Sequence, residues 1–415
     1  MAIVNRQTSE NILLTGFFGA GNVGDEAVSL AVYEGVKKNL PQANFSIVTR
    51  SPEYTRNFTG ITAVDTIKGF FPSHDFWMRL SRHIGSIKKS NLVVIGGGGI
   101  IQDVHSWTTI PAYILPACLG ILFNRPVMTV GIGVGPVKTA WLKELTAFAC
   151  NRMALVQVRD EESRKELIAY GVDANKIQVT ADVVPSLDFK RYVAGRSSGN
   201  SRPTVAVAFR KWSGLDKNGL VAICTKLIEN GVAIRMLGYE SVHDVKFYEE
   251  LISAFAPEHR DKISIHIPAD LNDAMEEVKA ADFVLSMRLH GCVFAAAMGT
   301  PFFAVPYDPK VSEFMRRISM EDRILPMDRL SLNYADEILK SLQANGRAFS
   351  AVGFAAQRQL SEKNFTVVPE VLQGGVVYSF KDKTSALGWI CKLMIKGMAT
   401  QLSRPFNFLV RKMTK

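Results

Sequence analysis

The sequence predicts an α/β protein made of two doubly wound parallel-sheet domains facing one another across a cleft. Three observations carry this. Short apolar runs alternate with longer helix-like stretches. The alternation stops once, in the polar Gly- and Ser-rich segment 191–203, and then restarts. At 415 residues the chain is also too long for one ordinary domain. The expected boundaries are a first domain over 1–190, a linker over 191–203, a second domain over 204–375 and a basic tail over 376–415.

In the first domain the strand signals are "NILLT" (11–15), "FSIVT" (45–49), "NLVVI" (91–95), "PVMTVGI" (126–132), "ALVQV" (154–158) and "KIQVT" (176–180). Helical spacing of apolar residues marks 25–40 and 160–171, the latter stopped by Gly171. "IPAYILPACLGILF" (110–123) is apolar throughout, but it is too short to span a bilayer and holds two prolines, which predicts a buried helix. The second domain repeats the pattern with "TVAVAF" (204–209), "VAIRML" (232–237), "ISIHI" (263–267), "DFVLS" (282–286) and "PFFAV" (301–305).

Composition narrows the class. Hydrophobic residues make up 47% and charged residues 21%, as in a globular α/β protein. The cysteines are five, scattered and without a C-x-x-C pair, which argues against structural zinc or a disulfide framework and for a reducing, cytoplasmic setting. The first ten residues show no signal-peptide pattern. The net charge of +10 is concentrated at the C-terminus, where residues 376–415 hold eight basic residues against one acid. With Trp389, Ile390, Phe406 and other apolar residues interleaved, that tail suits peripheral contact with an anionic membrane, or a helix packing back on the first domain.

In open parallel sheets ligands sit at the carboxyl ends of the strands, so the loops there carry the search. "FFGAGNVGDEA" (17–27) places Gly19, Gly21 and Gly24 in the G-x-G-x-x-G spacing of a dinucleotide site. Asp25 and Glu26 follow directly and put negative charge where a pyrophosphate would lie. The loop therefore reads as a wall of the cleft presenting acids rather than as a dinucleotide cradle. "GGGGIIQD" (96–103) lets backbone N–H groups approach an anion or a sugar at Gly97 and Gly98, and ends in Asp103. Arg159 and Arg210 each follow a strand, where a guanidinium can fork onto a carboxylate or phosphate or pair with a neighbouring acid. "MRLHG" brings Arg288 and His290 to a strand end that opens a helix, an anion pocket with a proton donor. Lys310 lies on the next loop. No Cys/His cluster and no Walker sequence is present, so the expected ligand is a small polyanion bound without a protein-held metal, and nucleic acid is not expected.

With these residues in place the chain resembles the polysaccharide pyruvyl transferase family. The resemblance runs from about residue 11 to about 315 and rests on "GNVGDEA" (21–27), "VVIGGGGIIQD" (93–103), "GIGVGP" (131–136), "VRDEES" (158–163), "TADVVPSL" (180–187) and "SMRLHGCVFAAAMGTPFFAVPYDPKV" (286–311). It implies two Rossmann-like domains in a GT-B-like arrangement, with phosphoenolpyruvate as donor, a saccharide (free or lipid-linked) as acceptor, a pyruvate ketal as product and no further cofactor. Arg288 and His290 match the family's donor-pocket arginine and histidine, and Arg159, Arg210 and Lys310 match its other cations. The implied catalytic set is His290, Arg288 and Asp25. The substrate-binding set adds Arg159, Arg210, Lys310, Gly97, Gly98, Gly21, Asn22, Glu26 and Asp103. In this scheme Asp25, Glu26 or Asp103 takes the hydroxyl proton from the domain opposite the cations. Three alternatives stay open: a GT-B glycosyltransferase using a nucleotide sugar, an NADP-dependent oxidoreductase with Arg50 toward a 2′-phosphate, and a non-catalytic saccharide-binding protein, whose signature would be loss of the cationic residues that this sequence keeps.

Overall fold

A computed structural model of the chain describes residues 9–59, 62–66, 70, 73–104, 106–192, 202–344 and 352–413. The chain divides into two compact units, one formed by Met1–Ala20, Val28–Val183 and Leu360–Lys415, the other by Gly21–Ala27 and Val184–Gln359.

The first unit runs β1 (Asn11–Gly16), α1 (Val23–Asn39), β2 (Asn44–Thr49), α2 (Pro52–Thr59), β3 (Thr62–Asp65), α3 (His74–Lys89), β4 (Leu92–Gly96), α4 (Thr109–Leu122), β5 (Val127–Val130), α5 (Ala140–Cys150), β6 (Val156–Val158), α6 (Glu161–Ala169) and β7 (Ile177–Val179). Its sheet has the order β3-β2-β1-β4-β5, all parallel. Leu14 sits in register between Ile47 and Val94. Strands covered on both faces must be apolar on both, which is why "LVVIG" is buried at every position. The β6-β7 pair continues the sheet through bridges from Met128 to Leu155 and from Ile132 to Val158. Strand β3 was not expected from the sequence: four residues with one buried neighbour carry too little pattern.

The second unit runs β8 (Thr204–Ala208), α7 (Lys217–Glu229), β9 (Ala233–Leu237), α8 (Ser241–Ile252), α9 (Pro257–Arg260), β10 (Ile263–His266), α10 (Leu271–Ala280), β11 (Phe283–Ser286), α11 (Leu289–Met298), β12 (Phe302–Ala304), α12 (Pro309–Arg317) and α13 (Asn333–Gln343). The strand order β10-β9-β8-β11-β12 repeats that of the first sheet. Each order reverses direction once, between β1 and β4 and between β8 and β11, and the strands at each reversal leave a crevice at their carboxyl ends. The unit has its own core, in which Phe209, Met236, Phe247, Phe283 and Met287 are fully buried.

Three C-terminal helices follow: α14 (Val352–Thr366), α15 (Val368–Gly374) and α16 (Phe380–Met413). The expected second-domain boundary at 375 and the separate tail differ from the observed division, because residues from Leu360 onward group with the first unit. The cause is apolar. Helix α16 lays Ala386, Ile390 and Leu393 into the core that contains most of helix α4. Arg152 pairs with Asp382 at 2.6 Å, and the rings of Phe148 and Trp389 lie 6.3 Å apart. The expected linker falls largely outside the described residues. Among the described residues no helix is long and apolar enough to cross a membrane.

Candidate functional site

The candidate site lies in the second unit, at the β8/β11 reversal. After β11 the chain turns through Arg288, whose extended backbone opens α11. The Ser286 hydroxyl accepts the Arg288 N–H at 3.1 Å and donates to the Arg288 carbonyl at 2.9 Å, so one side chain holds the turn. The Arg288 side chain is buried, and its Nη2 lies 2.5 Å from Asp244 in the first turn of α8. Asp244 is itself fixed, because its Oδ2 accepts the N–H groups of Tyr239 and Glu240 at 2.9 Å each. A buried guanidinium needs such a partner to stay charged. Its Nε has no hydrogen-bond partner among the described residues, which leaves a donor available.

Two further cations come from neighbouring strand ends. Arg210 follows β8, with its backbone N–H 3.2 Å from Met287 Sδ. Its guanidinium lies 5.7 Å from the Trp212 ring centre and 5.8 Å from that of Tyr307. The two rings meet edge to face at 4.7 Å. Lys310, in the first turn of α12, has Nζ 5.5 Å from the Tyr307 ring and 3.3 Å from Asp308. Asp308 also caps that helix through the Lys310 N–H, and Pro309 supplies the preset first turn. Tyr307 thus separates and supports both cations.

The glycine loop supplies the acid. Val23 N–H donates to the Tyr239 carbonyl at 3.1 Å, and Asn22 forms an antiparallel bridge with Glu240. Asn22 Oδ1 accepts the Gly24 N–H at 2.9 Å, capping α1. A Cβ added at Gly24 would overlap His290 Nδ1, so only glycine lets this backbone lie against the imidazole. The His290 ring stacks on Phe294 with centres 6.4 Å apart. Asp25 follows. Burial pushes its carboxyl up to about 6, against the pull of His290, Lys310 and Arg288 and with a further push from Glu240. Glu26 is buried next to it. The sequence reading set Asp25 and Glu26 on the domain opposite the cations. They belong instead to the same unit, because Gly21–Ala27 is tied to the β9–α8 turn.

The other expected site residues lie in the first unit. Gly97 and Gly98 have positive φ, 59° and 75°, where glycine is favoured. A Cβ at Gly97 would overlap Val28, whereas Gly98 faces open space, so packing accounts for the first and backbone conformation for the second. Asp103 is pushed up by burial but pulled further down by hydrogen bonds from the Lys138 and Thr139 N–H groups, at 2.9 Å each. Held that way, it ties two loops and is a weak base. Arg159 lies 3.2 Å from Asp160 and 3.7 Å from Asp182. Arg50 stacks on Phe17 at 4.4 Å. The structure therefore gathers Asp25, Glu26, Arg210, Arg288, His290 and Lys310 in one unit, together with Gly21 and Asn22. It does not gather Gly97, Gly98, Asp103 and Arg159 there.

Tyr239, Glu240, Asp244, Trp212 and Tyr307 were not anticipated. The signal for the first three was present: "GYESVHD" follows strand β9, and the strand-end rule applies to that loop as to the others. One group with metal-ligand geometry also occurs among the described residues, His266, Asp273 and Glu277. Its members are already engaged, His266 with Asp273 at 3.0 Å and Glu277 with Arg235.

Comparisons with known proteins agree with this picture. A family model described as polysaccharide pyruvyl transferase matches residues 22–309, more than half of the chain and all of the cluster except Gly21 and Lys310. A relative, the amylovoran biosynthesis protein AmsJ of Erwinia amylovora, is 19% identical over 364 residues, covering 75% of this chain and 86% of that protein. Among solved structures, Anabaena Alr3699/HepE in complex with UDP and glucose superposes with a TM-score of 0.58 at 12% identity, over 88% of this chain and 98% of that one. A glycosyltransferase from Rickettsia africae gives 0.60 at 14%, over 88% and 97%. The structural likeness fixes the fold, two Rossmann-like domains of the GT-B type. Since the family model spans both the Asn22–Glu26 loop and the Arg288–His290 turn, the chain belongs to the polysaccharide pyruvyl transferase family.

Proposed function

We propose that this transferase moves the pyruvyl group of phosphoenolpyruvate onto two hydroxyls of a saccharide, forming a ketal and releasing phosphate. The observation that carries the reading is the meeting of Arg288, His290 and Lys310 with a half-buried carboxyl, Asp25, whose affinity for a proton is raised. Phosphoenolpyruvate holds a carboxylate and a phosphate on three carbons, and several cations at one strand-end cluster suit that charge density. No metal or cofactor enters the scheme.

The chemistry balances as follows. A proton adds to the methylene carbon, leaving cationic character at the adjacent carbon. A sugar hydroxyl attacks there, the carbon–oxygen bond to phosphate breaks, and a second hydroxyl closes the ring. Of the two hydroxyl protons, one replaces that given to carbon and the other leaves with phosphate. His290 is the proton donor, and Asp25, with a proton affinity near working pH, accepts from the attacking hydroxyl. Arg288, held by Asp244, supplies positive charge to the anion.

Phosphate release from phosphoenolpyruvate, measured against free and lipid-linked oligosaccharides of the host's own polysaccharide, tests the reading. His290→Gln should lower kcat by roughly 10²-fold or more. Turnover near the unmodified level would remove His290 as the acid. Turnover of a nucleotide sugar with no release from phosphoenolpyruvate would replace the donor.

A further inference from the structure

We propose that the outward face of α16 is a docking surface for an anionic phospholipid membrane. Three observations converge on it. The helix has two unlike faces. One is closed by the first unit's core through Ala386, Ile390 and Leu393. The other carries Phe380, Leu387, Ile395 and Met398, at spacings that return to one side of a helix. Phe380 is 83% exposed and Ile395 60%, so the first unit leaves this stripe uncovered.

The second observation is charge. Lys381 and Lys396 are exposed beside the stripe, and Lys383 lies partly exposed on its other flank. Helix α16 contains seven lysines and arginines and one acid, Asp382. That acid is occupied by Arg152 and by the Ser379 hydroxyl. The face is therefore apolar at its centre and cationic at its edges, and the helix itself carries no second acid to balance it. Lipid headgroups supply that balance, and acyl chains accept the stripe. A second copy of the chain fits poorly, because two such faces would set lysine against lysine.

Third, the helix has the right polarity for lying on a bilayer rather than in it. Among the described residues no helix, this one included, is long and apolar enough to cross a membrane. At about 1.5 Å per residue it offers a long contact parallel to the surface.

Co-sedimentation of the full-length protein with vesicles tests this without reading turnover, so its outcome is separable from that of the pyruvyl-transfer proposal. Binding to phosphatidylglycerol vesicles should exceed binding to phosphatidylcholine vesicles by at least about tenfold at low salt, and fall as salt rises. L387E/I395E and, separately, K381E/K383E should each reduce it by about tenfold or more, with circular dichroism and melting temperature unchanged. Equal binding to both vesicle types, or full binding by both variants, would overturn the proposal. A dimer in solution that L387E/I395E converts to monomer, with no vesicle binding by either, would give the face to a second copy instead.

Discussion

In the proposed reaction Asp25 is the base, and its proton affinity follows from place rather than type. A solvated aspartate is too weak a base at neutral pH to compete for a hydroxyl proton. Burial raises this one to about 6, with His290, Lys310 and Arg288 limiting the rise. Two consequences have definite signs. As the proposed base Asp25 must be deprotonated, so kcat/KM should fall as pH drops below about 6. For stability, the folded state holds the proton more tightly than the unfolded state between the ordinary aspartate value and about 6. Stability therefore declines as pH rises through that window, and the charged form is disfavoured above it. Asp25→Asn should abolish most turnover yet raise the melting temperature at pH 7.5, with the gain shrinking toward pH 4. A melting temperature lowered at pH 7.5 would show that the cations stabilise the charge more than burial opposes it.

At the scale of elements, the start of α1 decides the site. Its capping residue, Asn22, and the bond from Val23 to Tyr239 fix the first turn against the β9–α8 loop. Gly24→Ala should leave the fold standing, since the helix favours alanine, but push the His290 ring aside. A kcat reduced at least about tenfold with a melting temperature close to the parent is the expected pair of readings, and an unchanged kcat would show that the ring can move without penalty. The same turn shows where sequence reasoning stops. Gly24 was visible as the third glycine of a dinucleotide-like spacing, and Arg288 and His290 were visible as a strand-end pair. That these two features touch is a tertiary fact with no local signature. Strand ends with continuous apolar runs, such as β4, β8 and β11, were legible because burial on both faces imposes composition. Strand β3 was not, being short and half covered. Asp103 and Arg159 lie in the first unit, Asp103 accepting two backbone N–H groups and Arg159 beside Asp160 and Asp182, and a cation or acid at a strand end carries no local mark of which neighbours it meets.

For the whole molecule, the two sheets share a strand order, and among the described residues each has a core of its own, one around β4, α4 and α16, the other around β8, β11 and α7. Separate cores unfold as separate cooperative blocks. Calorimetry should resolve two transitions, and phosphoenolpyruvate should raise only the one belonging to the unit with Arg288, by the mass-action stabilisation of a ligand that binds one folded block. A single transition would show that the two units unfold together, and a shift confined to the other transition would contradict the assignment of the donor cluster. The interlaced chain has a further consequence for anyone dividing the gene. Cutting within 193–201 looks like the natural way to make two independent proteins, yet Gly21–Ala27 belongs to the later unit and Leu360–Lys415 to the earlier one. A fragment spanning 202–359 would carry Arg288, His290 and Lys310 but leave its carboxylate behind on the other piece. Recombination at that seam would thus yield halves that are each chemically incomplete, and a short peptide beginning before Gly21 is the part such a fragment would need returned to it.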